Sequence, residues 1–121
     1  MIPTGSRIFD VKHLFEQLAS LDHHKPFDCG FSHMEFRKES KFGLKSVFHF
    51  KCKMCELETK LSTHPAEASK INATAVIGSL TTGVGFSQCE QMFAHLNIPF
   101  MAANTYREKH QEVSDVILDT T

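Results

Sequence analysis

Cys52-Lys53-Met54-Cys55 carries the most definite chemistry in this sequence. Two thiolates separated by two residues on a tight turn can grip one zinc ion, each at about 2.3 Å. Tetrahedral zinc requires two more ligands. Cys29 stands just ahead of the segment expected to pair with this turn, and either His33 or His64 is placed to complete a three-cysteine, one-histidine set. A second CxxC does not occur, and the competing reading is that these cysteines are small buried apolar side chains. A thioredoxin-like redox role suits the context less well, because the surrounding pattern is alternating and is not a βαβ unit. Cys89 shares a helical stripe with Met92, Phe93 and Leu96 and reads as core.

Other arrangements lead away from catalysis. The run from Gly78 to Gly85 resembles a phosphate loop but lacks the Lys-Ser/Thr that would reach phosphate and magnesium, so a helix C-cap and turn account for its glycines. His23 and His24 are adjacent, so on a helix they diverge. Glu108 with Glu112, and Asp115 with Asp119, stand one turn apart on one face, as a two-metal site would need or as any solvated face would show. No Ser-His-Asp or Cys-His signature is present. The sequence therefore implies no catalytic residues and no enzyme.

Charge points elsewhere. The formal net charge is -1, yet seven bases face three acids between Arg37 and Lys60. Lys45, Lys51 and Lys53 of this stretch are the candidate phosphate contacts, with Arg107 and Lys109 on the last helix as further candidates. A helix-turn-helix presenting Thr105, Arg107, Lys109 and His110 is conceivable, but its linker from Ile98 to Asn104 is long and the second helix ends acidic.

These groups must be positioned by an α+β fold. Ile8, Val11, Leu14, Phe15, Leu18 and Leu21 recur at helical spacing, predicting an N-terminal helix over 7–23 with Asp10 or Ser6 as N-cap and Pro26 beyond its end. Met34 and Phe36, then Phe48, Phe50 and Cys52, then Leu57, Thr59 and Leu61 alternate with polar residues, predicting a three-stranded antiparallel meander that turns at Lys41-Phe42-Gly43. A C-terminal three-helix segment follows, over 67–82, 88–97 and 105–118. Ser87-x-x-Glu90 and Thr105-x-x-Glu108 have the form of capping boxes at the last two starts. Met92, Phe93 and Leu96 are expected to face Tyr106, Val113, Val116 and Ile117. One domain over 1–121 results, with a strand half to residue 65 and a helical half from 66.

Eleven Phe against one Tyr and no Trp suit burial more than ligand display. The apolar runs are short and the N-terminus has no signal-peptide pattern, so a soluble, unsecreted protein with reduced thiols is expected and no membrane association.

The order of segments resembles the Mutator-like transposase domain of animal genomes. GSRIFDVKHLFEQL, GLKSVFHFKCKMC and INATAVIGSLTTGVGFSQCEQMFAHLNIPFMAANTYREKH carry the resemblance, from about Gly5 to Val113. It implies a transposon-derived, nuclear protein that handles DNA, in which this region precedes an RNase H-like core whose carboxylates bind metal. The chain stops at Thr121, so no catalytic carboxylate carries over. Cys29, Cys52 and Cys55 fall where the family places a zinc-like cluster, and Ser32 or His33 stands where a cysteine would pair with Cys29. The alternative from another class is a protein-interaction or structural module, including an inactive truncated gene fragment.

Overall fold

The computed structural model describes residues 2–21, 29–66 and 69–120, with Ser69 and residues 115–120 by backbone alone. The elements run α1 (Val11–Leu21), a 3-10 turn (Phe31–His33), β1 (Met34–Phe42), β2 (Lys45–Cys52), β3 (Glu58–Ser62), α2 (Ser69–Thr82), α3 (Phe86–His95) and α4 (Ala103–Thr120). This is the α+β order read from the sequence. Pro26 and the His23-His24 pair lie outside the described residues, as do the side chains of Asp115, Val116, Ile117 and Asp119.

The sheet is a meander in the order β1-β2-β3, antiparallel throughout. Strand alternation puts Phe36, Phe48, Phe50 and Leu61 on one face, which α1 covers with Leu14, Leu18 and Leu21. Helix α1 starts four residues later than its periodicity suggests. Asp10 is its N-cap, accepting the His13 N–H on Oδ1 at 3.0 Å, whereas Ser6 to Asp10 are held extended by Ser6 N–H to Asn97 O and Asp10 N–H to Thr63 O, each 2.9 Å. Ile8 accordingly leaves the helical stripe and packs with Leu44, Val76, Met101 and Tyr106 in a second core among the helices. Val11 and Phe15, assigned to the stripe by spacing, are exposed.

The helical half begins and ends its elements by backbone geometry more than by the expected capping boxes. Gly83, at φ +76°, closes α2, and Val84 N–H reaches back to Ser79 O at 2.9 Å, so the glycine run is a C-cap. Gly85 and not Ser87 precedes α3; its N–H donates to Gln88 Oε1 at 2.8 Å. The shift follows from Phe86, whose ring lies 5.2 Å from Tyr106 and 6.0 Å from Phe100 and carries the helix start with it. Helix α4 likewise starts before Thr105, with Tyr106 N–H bonded to Ala102 O. Of Met92, Phe93 and Leu96, Phe93 alone enters the core, stacked at 4.9 Å on Phe100, and the other two are exposed. Cys89 is buried, as its stripe predicted.

Asn72 is one residue that joins the halves. The hairpin tip Gly43-Leu44 docks on α2, where buried Asn72 accepts the Leu44 N–H at 2.9 Å and donates to Phe42 O at 3.0 Å. Gly43 has φ +65°, and a Cβ there would run into the Asn72 side chain. Asn72→Ala orphans both backbone groups and should cost about 2–3 kcal/mol. Gly43→Ala should cost at least about 1–2 kcal/mol from its left-handed backbone alone. Urea unfolding of the two variants measures both losses.

Candidate metal centre and basic sheet face

Cys52 ends β2, and the chain reverses at once through Lys53, Met54 and Cys55. The turn is closed by Glu56 N–H to Cys52 O at 2.9 Å and Cys52 N–H to Leu57 O at 2.8 Å, with Glu56 in the left-handed region at φ +62°. Lys53 N–H donates to His33 O at 2.9 Å, which ties the residues following Cys29 to this turn. The Sγ atoms of Cys29, Cys52 and Cys55 therefore meet, all within 4.8 Å of one another. Three thiolates on tetrahedral zinc stand about 3.8 Å apart, so closing on an ion requires contraction by no more than about 1 Å. Cys29 and Cys52 are each 1 % exposed and Cys55 is half-buried. Burial first, then the neighbouring Cys52 and Cys55, push the Cys29 thiol up to about 11. A cation among these sulfurs would take the place of their protons and reverse that tendency.

The two histidines are placed differently. His64 is buried beside Thr63, its Nδ1 2.8 Å from Thr63 Oγ1, and Thr63 Oγ1 accepts the Ser46 N–H at 3.0 Å. Ser46 and Cys52 are six residues apart on β2, roughly 20 Å at strand rise, so His64 belongs to the opposite end of the sheet. Burial lowers its pKa there. His33 is close in the chain fold but turned to solvent, with Nδ1 accepting Gly30 N–H at 3.2 Å. A neutral imidazole has one acceptor nitrogen, so His33 ligates a metal only by giving up Gly30. The geometry brings together the three cysteines and neither histidine.

The face of the sheet opposite α1 bears Glu35, Lys38, Ser40 and Phe42 of β1, Lys45, Val47, His49 and Lys51 of β2, and Glu58 and Lys60 of β3. A register shift between Phe36 and Lys38 inserts Arg37 as a bulge, which allows Phe36 and Glu39 both to face inward. A shallow cleft of about 480 Å³ on this face is lined by Arg37, Lys38, His49, Phe50, Lys51, Glu58, Thr59 and Lys60.

The Mutator-like transposase family model matches residues 5–121. The chain belongs to this family. No curated protein and no solved structure matches it. As a Mutator-like transposase domain the chain has a transposon-derived function, and its sequence candidates can be placed on the fold. Lys45 and Lys51 share the outer face, and Lys53 is exposed on the cysteine turn. Lys51 is flanked across the strands by Glu35 and Glu58, so its charge is locally balanced. On α4, Arg107 is exposed with Nη1 3.5 Å from Asn104 Oδ1, whereas Lys109 is 17 % exposed and reaches Glu112 at 3.4 Å. Arg37, Lys38 and Lys60 belong to the basic stretch visible in the sequence, whereas nothing in the sequence joins His49 to them. Strand register is what gathers them. No helix among the described residues is long and apolar enough to cross a membrane.

Proposed function

We propose that this region of a Mutator-like transposase associates with nucleic acid through the outer face of its sheet and performs no strand chemistry itself. The observation that carries the reading is one open face collecting Arg37, Lys38, Lys45, Lys51 and Lys60 against Glu35 and Glu58. The net charge of -1 over the whole chain conceals this local excess. Arg107 supplies a further exposed cation on α4. The cysteine centre, holding zinc through Cys29, Cys52 and Cys55, would fix the end of β2 and the turn bearing Lys53. Zinc here is structural, a cross-link between chain segments, and the site of action is the nucleus. The lack of chemistry is supported by Glu108 and Glu112, which point to solvent with Glu112 engaged by Lys109.

Changing Lys45, Lys51 and Lys53 together to Glu should weaken duplex DNA binding at least about tenfold at low salt and flatten the logarithmic salt dependence by about 2–3 units. Gel shifts and anisotropy across a salt series measure this. An unchanged affinity would remove the sheet face from the interface and favour a protein-interaction or structural module. The same protein should neither nick nor join DNA with magnesium or manganese; cleavage abolished by Glu108→Gln would overturn the non-catalytic reading.

A further inference from the structure

The outer face is organised in cross-strand rows whose charges differ in kind. In one row Glu35, Lys51 and Glu58 lie side by side, alternating in sign. In the next row Lys38, His49 and Lys60 lie side by side with no carboxylate among them. Directly opposed like charges destabilise a sheet, and alternating ones stabilise it. The first row is thus complete as a piece of surface, whereas the second holds two ammonium groups about an imidazole. Arg37, in the bulge of β1, adds a guanidinium beside it. These residues line the same cleft, whose walls come from the three strands alone. An anion seated there would relieve the repulsion that the fold otherwise bears.

We propose that the Lys38-His49-Lys60 row, with Arg37, seats a backbone phosphodiester, and that His49 takes up a proton as the phosphate binds. The inference rests on the nucleic-acid reading and adds to it the contacted atom class and a pH dependence. Phosphate suits the row because the ligands are all cations or N–H donors. The cleft offers no exposed ring for base stacking: Phe50 packs edge-on to Phe36 at 5.8 Å and to Phe31 at 5.5 Å. A duplex backbone is therefore favoured over a stacked single strand. Among the described residues, the charged groups that line the cleft with His49 are Arg37 and Lys38 from β1, Lys51 on its own strand, and Glu58 and Lys60 from β3. Ser40 Oγ lies 3.1 Å from His49 Nε2 and holds the ring in place. Loss of solvent, then Lys38 and Lys60, lowers the pKa of His49, so the free protein carries a neutral ring at neutral pH. A phosphate between the lysines screens them and adds negative charge, which favours the imidazolium.

The test compares duplex affinity by fluorescence anisotropy at about pH 5.5 and about pH 8 with NMR of the His49 ring during titration by pyrophosphate. Each unit of pKa rise on binding gives a tenfold gain in affinity, so the wild type should bind the duplex about tenfold tighter at the lower pH. His49→Gln should remove that ratio while retaining binding at the higher pH, and Lys60→Gln, at an exposed position, should weaken binding at both. A pH ratio that survives His49→Gln, or affinity untouched by Lys60→Gln, overturns the row as the phosphate seat while leaving nucleic-acid binding standing. No duplex binding but a pyrophosphate-driven shift of His49 would uphold the anion site and reject the nucleic-acid reading. Neither response would reject both.

Discussion

Zinc added in equimolar amount to the reduced protein should bind at one ion per chain and raise its thermal midpoint. Free zinc a thousandfold above the dissociation constant stabilises a fold that binds it by about 4 kcal/mol. The expectation rests on three sulfurs from two separate parts of the chain meeting within 4.8 Å, two of them on a turn closed by its own backbone bonds. Cobalt in place of zinc should give thiolate charge-transfer absorption and the intense visible bands of tetrahedral coordination. Cys29→Ser and Cys52→Ser should each abolish both signals. His64→Ala should leave them intact because His64 lies at the far end of β2. Affinity should fall as pH is lowered, since each thiol must release its proton to bind. Comparison of His33→Ala with wild type decides the fourth position: unchanged cobalt bands mean that water or another group fills it, and altered ones mean that His33 exchanges Gly30 N–H for the metal. Less than about a tenth of an ion per chain, in protein purified without chelator, would leave the cysteines as core residues.

Glu39→Ala should destabilise the protein by about 3 kcal/mol, the ordinary cost of stripping a mostly buried charge of its partner. Arg7 holds Glu39 bidentately, Nε to Oε2 at 2.8 Å and Nη2 to Oε1 at 2.9 Å, with 11 % and 7 % of the two side chains exposed. Arg7 Nη1 also donates to Thr4 O and Ser6 O, so the pair binds the N-terminal segment to β1. The hydrogen bonds from Arg7 outweigh the opposing effect of burial and hold the Glu39 carboxyl at about 2, below its usual 4.5. A carboxyl whose pKa is lower in the fold stabilises it fully above the unfolded value. That contribution is lost as pH falls from about 4.5 towards 2. Wild-type stability should therefore drop across this window, and Glu39→Gln, less stable at neutral pH, should show a shallower drop. Urea midpoints from pH 7 down to pH 2 measure both effects. Equal acid slopes in the two proteins would show that the pair does not set the acid limit.

The sequence by itself determined the class of fold, the meander and the cysteine set, because these depend on local periodicity and short-range spacing. Phe48, Phe50 and Cys52 alternate whatever they pack against, and two cysteines three positions apart share a turn wherever it sits. Element starts were less legible. Ile8 has the spacing of a helix but lies in a segment tied down by the bonds of Ser6 to Asn97 and Asp10 to Thr63, and Ser87 has the form of a cap but lies inside a helix begun by Phe86. The tertiary structure decided whatever depends on register and long-range contact. It brought Cys29 to the CxxC turn and carried His64 away from it, since a strand of eight residues separates its ends by roughly 25 Å. It also paired Arg7 with Glu39 across 32 residues. Charge counting singled out Lys51, but cross-strand neighbours balance Lys51 and leave Lys38, His49 and Lys60 unbalanced, because register fixes which charges stand side by side and composition does not.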